Sequence, residues 1–148
     1  MKMAIGCDPN AATLKLEIVE ELRAMGHEVA DLGSEDPIYA NVVIQVAEAV
    51  AAGTYDRGVV LCGTGIGASI AANKVPGAYC ALLTDCYQAE RASLSNNANM
   101  IAFGAQVTGP KIARLMARTW VSNEYVPGGR SEPKIQRIYE YAAEHERT

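Results

Sequence analysis

The chain has 148 residues, 49% hydrophobic and 20% charged, with a net charge of −4 and an isoelectric point near 5.2. That length suits one well-cored domain, residues 1–148, and is too short for two. An acidic balance with no basic run excludes nucleic acid and anionic membrane as main partners. No apolar run reaches the roughly 18 to 20 residues of a membrane span, and the start lacks a signal-length apolar stretch, so a soluble, cytoplasmic protein is expected. Cys7, Cys62, Cys80 and Cys86 show no CxxC spacing, which points to free thiols rather than a disulfide scaffold or a zinc site.

In chain order, Lys2 to Cys7 reads as a strand ending at Asp8-Pro9-Asn10. Leu14, Ile18, Leu22 and Met25 then recur at helical spacing up to Gly26. His27 to Leu32 alternates as a second strand, Gly33 to Pro37 is a loop, and a helix from about Ile38 to Ala52 stops at Gly53. Arg57 to Leu61 is a third strand feeding a glycine-rich loop, and Ser69 to Lys74 reads helical. After the Pro76-Gly77 turn come a strand (Ala78 to Thr84), a helix (Tyr87 to Leu94), a strand (Met100 to Phe103) and a helix (Pro110 to Val121). Gly128-Gly129-Arg130 makes a turn before a tail helix from about Pro133. Five alternating strand–helix units predict an α/β fold: one doubly wound, Rossmann-like domain with a five-stranded parallel sheet and helices on both faces. Only the tail, about 123–148, looks detachable, and its helix is expected to dock on a neighbouring subunit.

Ligands in such sheets bind beyond the strand C-termini, a rule that collects Asp8, Cys62 with its loop, Asp85 and the Asn96-Asn97 region on one edge. The loop Cys62-Gly63-Thr64-Gly65-Ile66-Gly67 lets backbone amides face an anion, while lacking the Gly-Lys-Ser/Thr of a nucleotide loop and the GxGxxG spacing. A thiol beside free amides should have its thiolate favoured, and such a thiolate is suited to removing a proton next to a carbonyl. Each reading has a bland counterpart. The loop alone is a tight turn, and Cys62 is filler at a strand end. Asp8 caps a helix, Asn96, Asn97 and Asn99 shape a turn, and Tyr39 and Tyr87 are walls. Arg130, Lys134 and Arg137, spaced i, i+4, i+7, form either a solvated face or a phosphate clamp. His27 and His145 are poorly sited for proton transfer.

The stretches Ile5-Gly6-Cys7-Asp8, Cys62 to Gly67, Ala71-Ala72-Asn73-Lys74-Val75-Pro76-Gly77, Asn97-Ala98-Asn99 and Gly128-Gly129-Arg130 resemble the ribose-5-phosphate isomerase B and galactose-6-phosphate isomerase family. The likeness implies a homodimer, possibly a tetramer, with active sites shared between subunits, and a cofactor-free, metal-free aldose–ketose isomerisation through a cis-enediolate. It implies Cys62 as the base, the amides of Gly63, Gly65, Ile66 and Gly67 as holders of the enediolate oxygen, and Thr64 as support for loop and thiol. Asp8 and Asn96 would bind substrate oxygens, with Ser95 and Tyr39 at the substrate. Arg130 and Lys134, with Arg137 a turn later, would take the phosphate.

Departures from the family pattern are informative. Ribose 5-phosphate enzymes of the family usually carry histidine after the first aspartate and before the asparagine pair, where this chain has Pro9 and Ser95. The second histidine is credited with opening the sugar ring. A common phosphate arginine is here Gln106. A tetrose 4-phosphate needs no ring opening, because its O4 is esterified. The stretches Tyr39-Ala40-Asn41, Gly53 to Arg57 and Glu90 to Asn97 also resemble the erythritol-pathway branch, which interconverts D-erythrulose 4-phosphate and D-erythrose 4-phosphate. Ribose 5-phosphate isomerisation, and a non-catalytic subunit of a hetero-oligomer, are the alternatives.

Overall fold

Residues 1–146 are described by a computed structural model. Lys2–Cys7 (β1), Glu28–Asp31 (β2), Arg57–Cys62 (β3), Cys80–Leu82 (β4) and Met100–Gly104 (β5) form one parallel sheet in the order β2-β1-β3-β5-β4. The central strands β1, β3 and β5 are buried on both faces, which explains their nearly continuous apolar character. Right-handed crossovers distribute the helices. Ala12–Ala24 (α1), Cys86–Leu94 (α4) and Pro110–Val121 (α5) cover one face, where Ile18, Leu22, Phe103, Met116 and Trp120 form the larger core. Tyr39–Ala51 (α2) and Ile66–Ala72 (α3) cover the other, over Val43, Val46, Val60 and Met100. Gly6 and Gly58 let α2 lie close on the sheet, since a methyl group at either would meet Val42 or Val46 within 3 Å.

Several expected boundaries shift. α3 starts at Ile66, three residues early, because left-handed Gly65 (φ 79°) turns the chain straight into the helix. β4 is only three residues long, and Asn73 replaces its missing ladder by donating to the Cys80 carbonyl and accepting its N–H, at 2.9 and 2.8 Å. The tail helix, Glu132–His145 (α6), packs on its own chain through buried Ile135 and through Tyr139, which meets Tyr79 edge-on at 5.2 Å. It leaves Ile138 and Tyr141 exposed. The final two residues of the expected tail, 147–148, lie outside the described residues.

Chain direction decides which edge of the sheet each residue reaches. Strand ends, and the loops that leave them, make the upper edge; because helices run back against the strands, helix C-termini lie at the lower edge. There Arg57, at the start of β3, ties the ends of α4 and α5 together. It donates to the carbonyls of Trp120 and Asn123 at 2.7 and 2.8 Å and to Ser93 Oγ at 3.2 Å, with its guanidinium over the Trp120 ring.

Candidate active site

The upper edge carries the thiol. The last β1–β3 rung pairs Cys7 with Leu61, so continuing the register sets Asp8 opposite Cys62 on the α2 side of the sheet. Both are 4% exposed. The Gly65 N–H donates to Cys62 Sγ at 3.2 Å, and Thr64 Oγ1 accepts from the Ile66 N–H at 3.3 Å. The Gly63 and Thr64 amides have no partner among the described residues, leaving donors free at the loop. A side chain at Gly65 would run into the backbone of Phe103 and Gly104, and one at Gly104 into Thr64. The loop is therefore seated backbone on backbone against the end of β5, and it is fastened by Ala105 N–H to Cys62 O and Gln106 N–H to Gly63 O, both 2.9 Å. The Tyr39 hydroxyl lies over Gly67, so Tyr39 walls the loop on that side.

Asp8 is not a cap. Its side chain accepts from no backbone N–H of the short 3-10 turn Pro9–Ala11 that follows it; Oδ2 accepts instead from the Asn10 side-chain amide at 3.3 Å, and Oδ1 is buried without a partner. A buried carboxylate oxygen left unpaired is costly, on the order of 1–3 kcal/mol, and marks a place where a ligand hydroxyl belongs. Asp85, in contrast, caps α4 by accepting from the Gln88 N–H at 2.8 Å, so the bland reading holds there.

Three expectations are corrected. First, Asn96 and Asn97 do not share the edge of Cys62. They follow a helix, not a strand, and lie at the lower edge. There Asn96 bonds the Arg91 carbonyl, left-handed Asn97 (φ 49°) reaches Tyr139, and Asn99 braces Gly77 and Tyr79. Second, Arg130 precedes α6 in the Gly128-Gly129 turn, so it does not share a helical face with Lys134 and Arg137. Third, Arg137 is engaged by Glu140 and Glu144, at 3.7 and 3.8 Å, a solvated-face pattern. Arg130 and Lys134 make no ion pair among the described residues.

The candidate residues thus fall into two sets. Asp8, Tyr39, Cys62, Gly63, Thr64, Gly65, Ile66 and Gly67 stand at the upper edge. Ser95, Asn96 and Arg130 gather at the lower edge, with Lys134 in the first turn of α6, and Ser95 and Arg130 line one cavity of about 340 Å³ with Arg91, Tyr87 and Tyr125. A strand-length, roughly 15 Å, separates the two edges in one chain. Sequence reading misses Arg91 and Tyr125; the i, i+4 spacing of Arg91 and Ser95 is the available signal. Gln106 lies at the upper edge, its carboxamide against Gly63.

Other groups are accounted for. A cavity of about 560 Å³ opens at the upper edge beside β2, but the Lys15–Asp31 ion pair (2.8 Å) in its wall is internally satisfied. Burial pushes the Cys7 thiol up to about 11, against the pull of Lys15, and the Cys80 thiol up to about 12, so neither is a base near neutral pH. His27 bonds the N-terminal amine at 2.9 Å and His145 stacks on Tyr141, both away from Cys62. Among the described residues no helix is long and apolar enough to cross a membrane, and no three His, Cys, Asp or Glu side chains cluster as a metal requires.

Comparison with known proteins bears on this arrangement. Residues 3–138 match the family described as Ribose/Galactose Isomerase. A D-erythrulose-4-phosphate isomerase from Pectobacterium atrosepticum is 42% identical, with 99% of each chain covered. A ribose-5-P isomerase B from Listeria innocua is 41% identical, covering 95% of this chain and 96% of its own. The solved ribose-5-phosphate isomerase B of Clostridium thermocellum superposes with a TM-score of 0.92 at 40% identity, over 99% of this chain and all of that one. With the thiol, the amide loop and the doubly wound sheet, these likenesses establish that the chain belongs to the ribose/galactose isomerase family of sugar-phosphate isomerases.

Proposed function

We propose that this isomerase acts on a phosphorylated sugar that stays open, interconverting D-erythrulose 4-phosphate and D-erythrose 4-phosphate. The observation that carries the reading is the absence of an imidazole from both residue sets. Pro9 follows Asp8, the Ser95 hydroxyl accepts from Arg91 at 2.7 Å, and the chain's two histidines lie elsewhere. Ribose 5-phosphate closes through its free O4 and must be opened by an acid–base group before C1 can react. A tetrose 4-phosphate has no such hydroxyl to close with.

In this reading the Cys62 thiolate removes a proton from C1 of the ketose, and the electron pair moves onto the C2 oxygen. The free amides of Gly63 and Thr64 suit that developing charge, because fixed donors need no reorganisation as it forms. The C1 hydroxyl proton must pass to the C2 oxygen, a task for Asp8, whose Oδ1 lacks a partner. Return of the first proton from Cys62 to C2 completes the aldose.

The cationic set lies a strand-length away on the same chain, so a homodimer in which each thiol edge meets the partner's lower edge is the assembly that unites them; a tetramer would pair such dimers. In the same proposal the outer face of α6, which bears exposed Ile138 and Tyr141, docks on the partner. The test is a substrate panel on purified protein. Turnover of D-erythrulose 4-phosphate well above that of ribose 5-phosphate is expected, and the opposite order overturns the proposal. A ribose 5-phosphate role is the second reading, favoured by the Listeria innocua relative at nearly equal identity.

A further inference from the structure

Among the described residues only two side-chain oxygens are buried with no hydrogen-bond partner: Asp8 Oδ1 and Tyr125 Oη. The first belongs to the thiol edge. The second belongs to the wall of the lower cavity that Arg91, Ser95 and Arg130 also line. An orphan polar atom in each set marks two places prepared for polar ligand atoms. Burial, and then Glu132, raise the Tyr125 phenol above its ordinary value, so it presents a donor.

The cavity is electropositive by composition. Its lining holds two guanidiniums and no carboxylate; Glu90, beside it, is 3.3 Å from Arg91 Nη1 and half exposed, where such pairs bind weakly. Glu132, the other carboxylate of this corner, accepts from the Gly128 N–H at 3.1 Å and so fastens the turn that presents Arg130. Arg91 Nε is fixed by Ser95 Oγ at 2.7 Å, and its Nη2 has no partner among the described residues. Nε and Nη1 are thereby engaged, and Nη2 is left to a ligand. A phosphate group, with oxygens for two guanidiniums and a phenol, matches this donor set.

We infer that Arg91, oriented by Ser95, binds the substrate phosphate together with Arg130, and that Ser95 is a positioning residue for Arg91 rather than a substrate contact. This rests on the proposal that the substrate is a phosphorylated sugar, but not on which sugar it is. At the thiol edge Gln106 is neutral and Lys15 is held by Asp31, so Arg91 with its unpartnered Nη2 is the better-placed cation for phosphate.

Competition by inorganic phosphate in the isomerase assay, and direct phosphate binding by calorimetry, test the assignment on the intact protein. Arg91→Leu is expected to weaken phosphate and raise KM by about tenfold or more while kcat changes little, with Arg91→Lys intermediate because a single ammonium cannot keep the Ser95 bond and also place a separate donor where Nη2 stands. Ser95→Ala should weaken phosphate about threefold in the parent and have no further effect in Arg91→Leu, as coupled residues do. Arg118→Gln, which removes an equal charge that is paired with Glu21 at 3.0 Å, is the control and should leave phosphate binding unchanged. Unchanged phosphate binding in folded Arg91→Leu overturns the assignment, as does a wild-type protein that phosphate neither binds nor inhibits. So does an equal effect of Ser95→Ala in both backgrounds. If the protein prefers ribose 5-phosphate yet loses phosphate affinity in Arg91→Leu, the substrate reading fails and the Arg91 assignment stands.

Discussion

The upper and lower edges of the sheet solve different problems with different materials. At the upper edge the backbone acts: Gly65 and Gly104 bring the loop after β3 into main-chain contact with the end of β5, and the Cys62 sulfur is nearly sealed. At the lower edge side chains act, as long arginines on a helix end and a turn reach from partly exposed positions. Fixed amides suit a charge that must be met at one point during reaction. Flexible guanidiniums suit a dianion that is merely held. In the proposed reading, chemistry and binding are separable within one chain.

Cys62→Ala should produce the largest effect, a loss of turnover of about 10³-fold or more, read from substrate C–H exchange with solvent, while phosphate competition stays near the parent value. Retained exchange would put the base elsewhere. Gly65→Ala, at a left-handed position with no room for a methyl, should cost about 2 to 4 kcal/mol in thermal or denaturant unfolding, and a neutral outcome would deny that the loop is locked. Arg130→Ala should reverse the Cys62 pattern, raising KM about tenfold with kcat nearly kept. If each site joins one subunit's upper edge to the other's lower edge, mixing the Cys62→Ala and Arg130→Ala proteins should restore about a quarter of parental activity at low substrate, through mixed dimers with one intact site. No recovery would mean that the edges do not meet across subunits.

Smaller effects test the bland assignments. Asp85→Ala should lose about 1 kcal/mol of stability, as expected for a lost cap, with kcat/KM unaltered; a fall in kcat/KM would return Asp85 to the site. His27 is lowered from its ordinary 6.5, first by burial and then by the N-terminal amine and Arg57. The unfolded chain therefore binds the proton more readily, so this contribution is complete above pH 6.5 and is lost as pH falls through 6.5 toward the folded value. His27→Gln should flatten that slope in melting temperature and leave the pH profile of turnover untouched.

The doubly wound sheet is legible in the sequence because strand and helix periods alternate cleanly from Lys2 to Val121, and Cys62 is legible because its loop leaves a strand. Asn96 is misplaced by the rule about strand ends because it follows α4, and α4 carries the chain back down. Arg130 is misplaced by helical spacing because the count runs through a turn that breaks the helix. Arg91 escapes notice since a charged residue near a helix end is usually solvent-facing. Only packing shows that Ser95, Tyr125 and Arg130 converge on it. The unpaired oxygens of Asp8 and Tyr125 leave no trace in sequence, for they are defined by what three-dimensional neighbours fail to supply.

The strand-length gap between the two residue sets bears on how this scaffold can be retargeted. Under the proposed division of roles, a chimera that keeps residues through the β3–α3 loop from one relative and takes α4, the Gly128-Gly129 turn and α6 from another should exchange substrate preference without touching proton transfer. Transplants of that kind, scored on sugars of different chain length, turn a quirk of chain direction into a route for redesign.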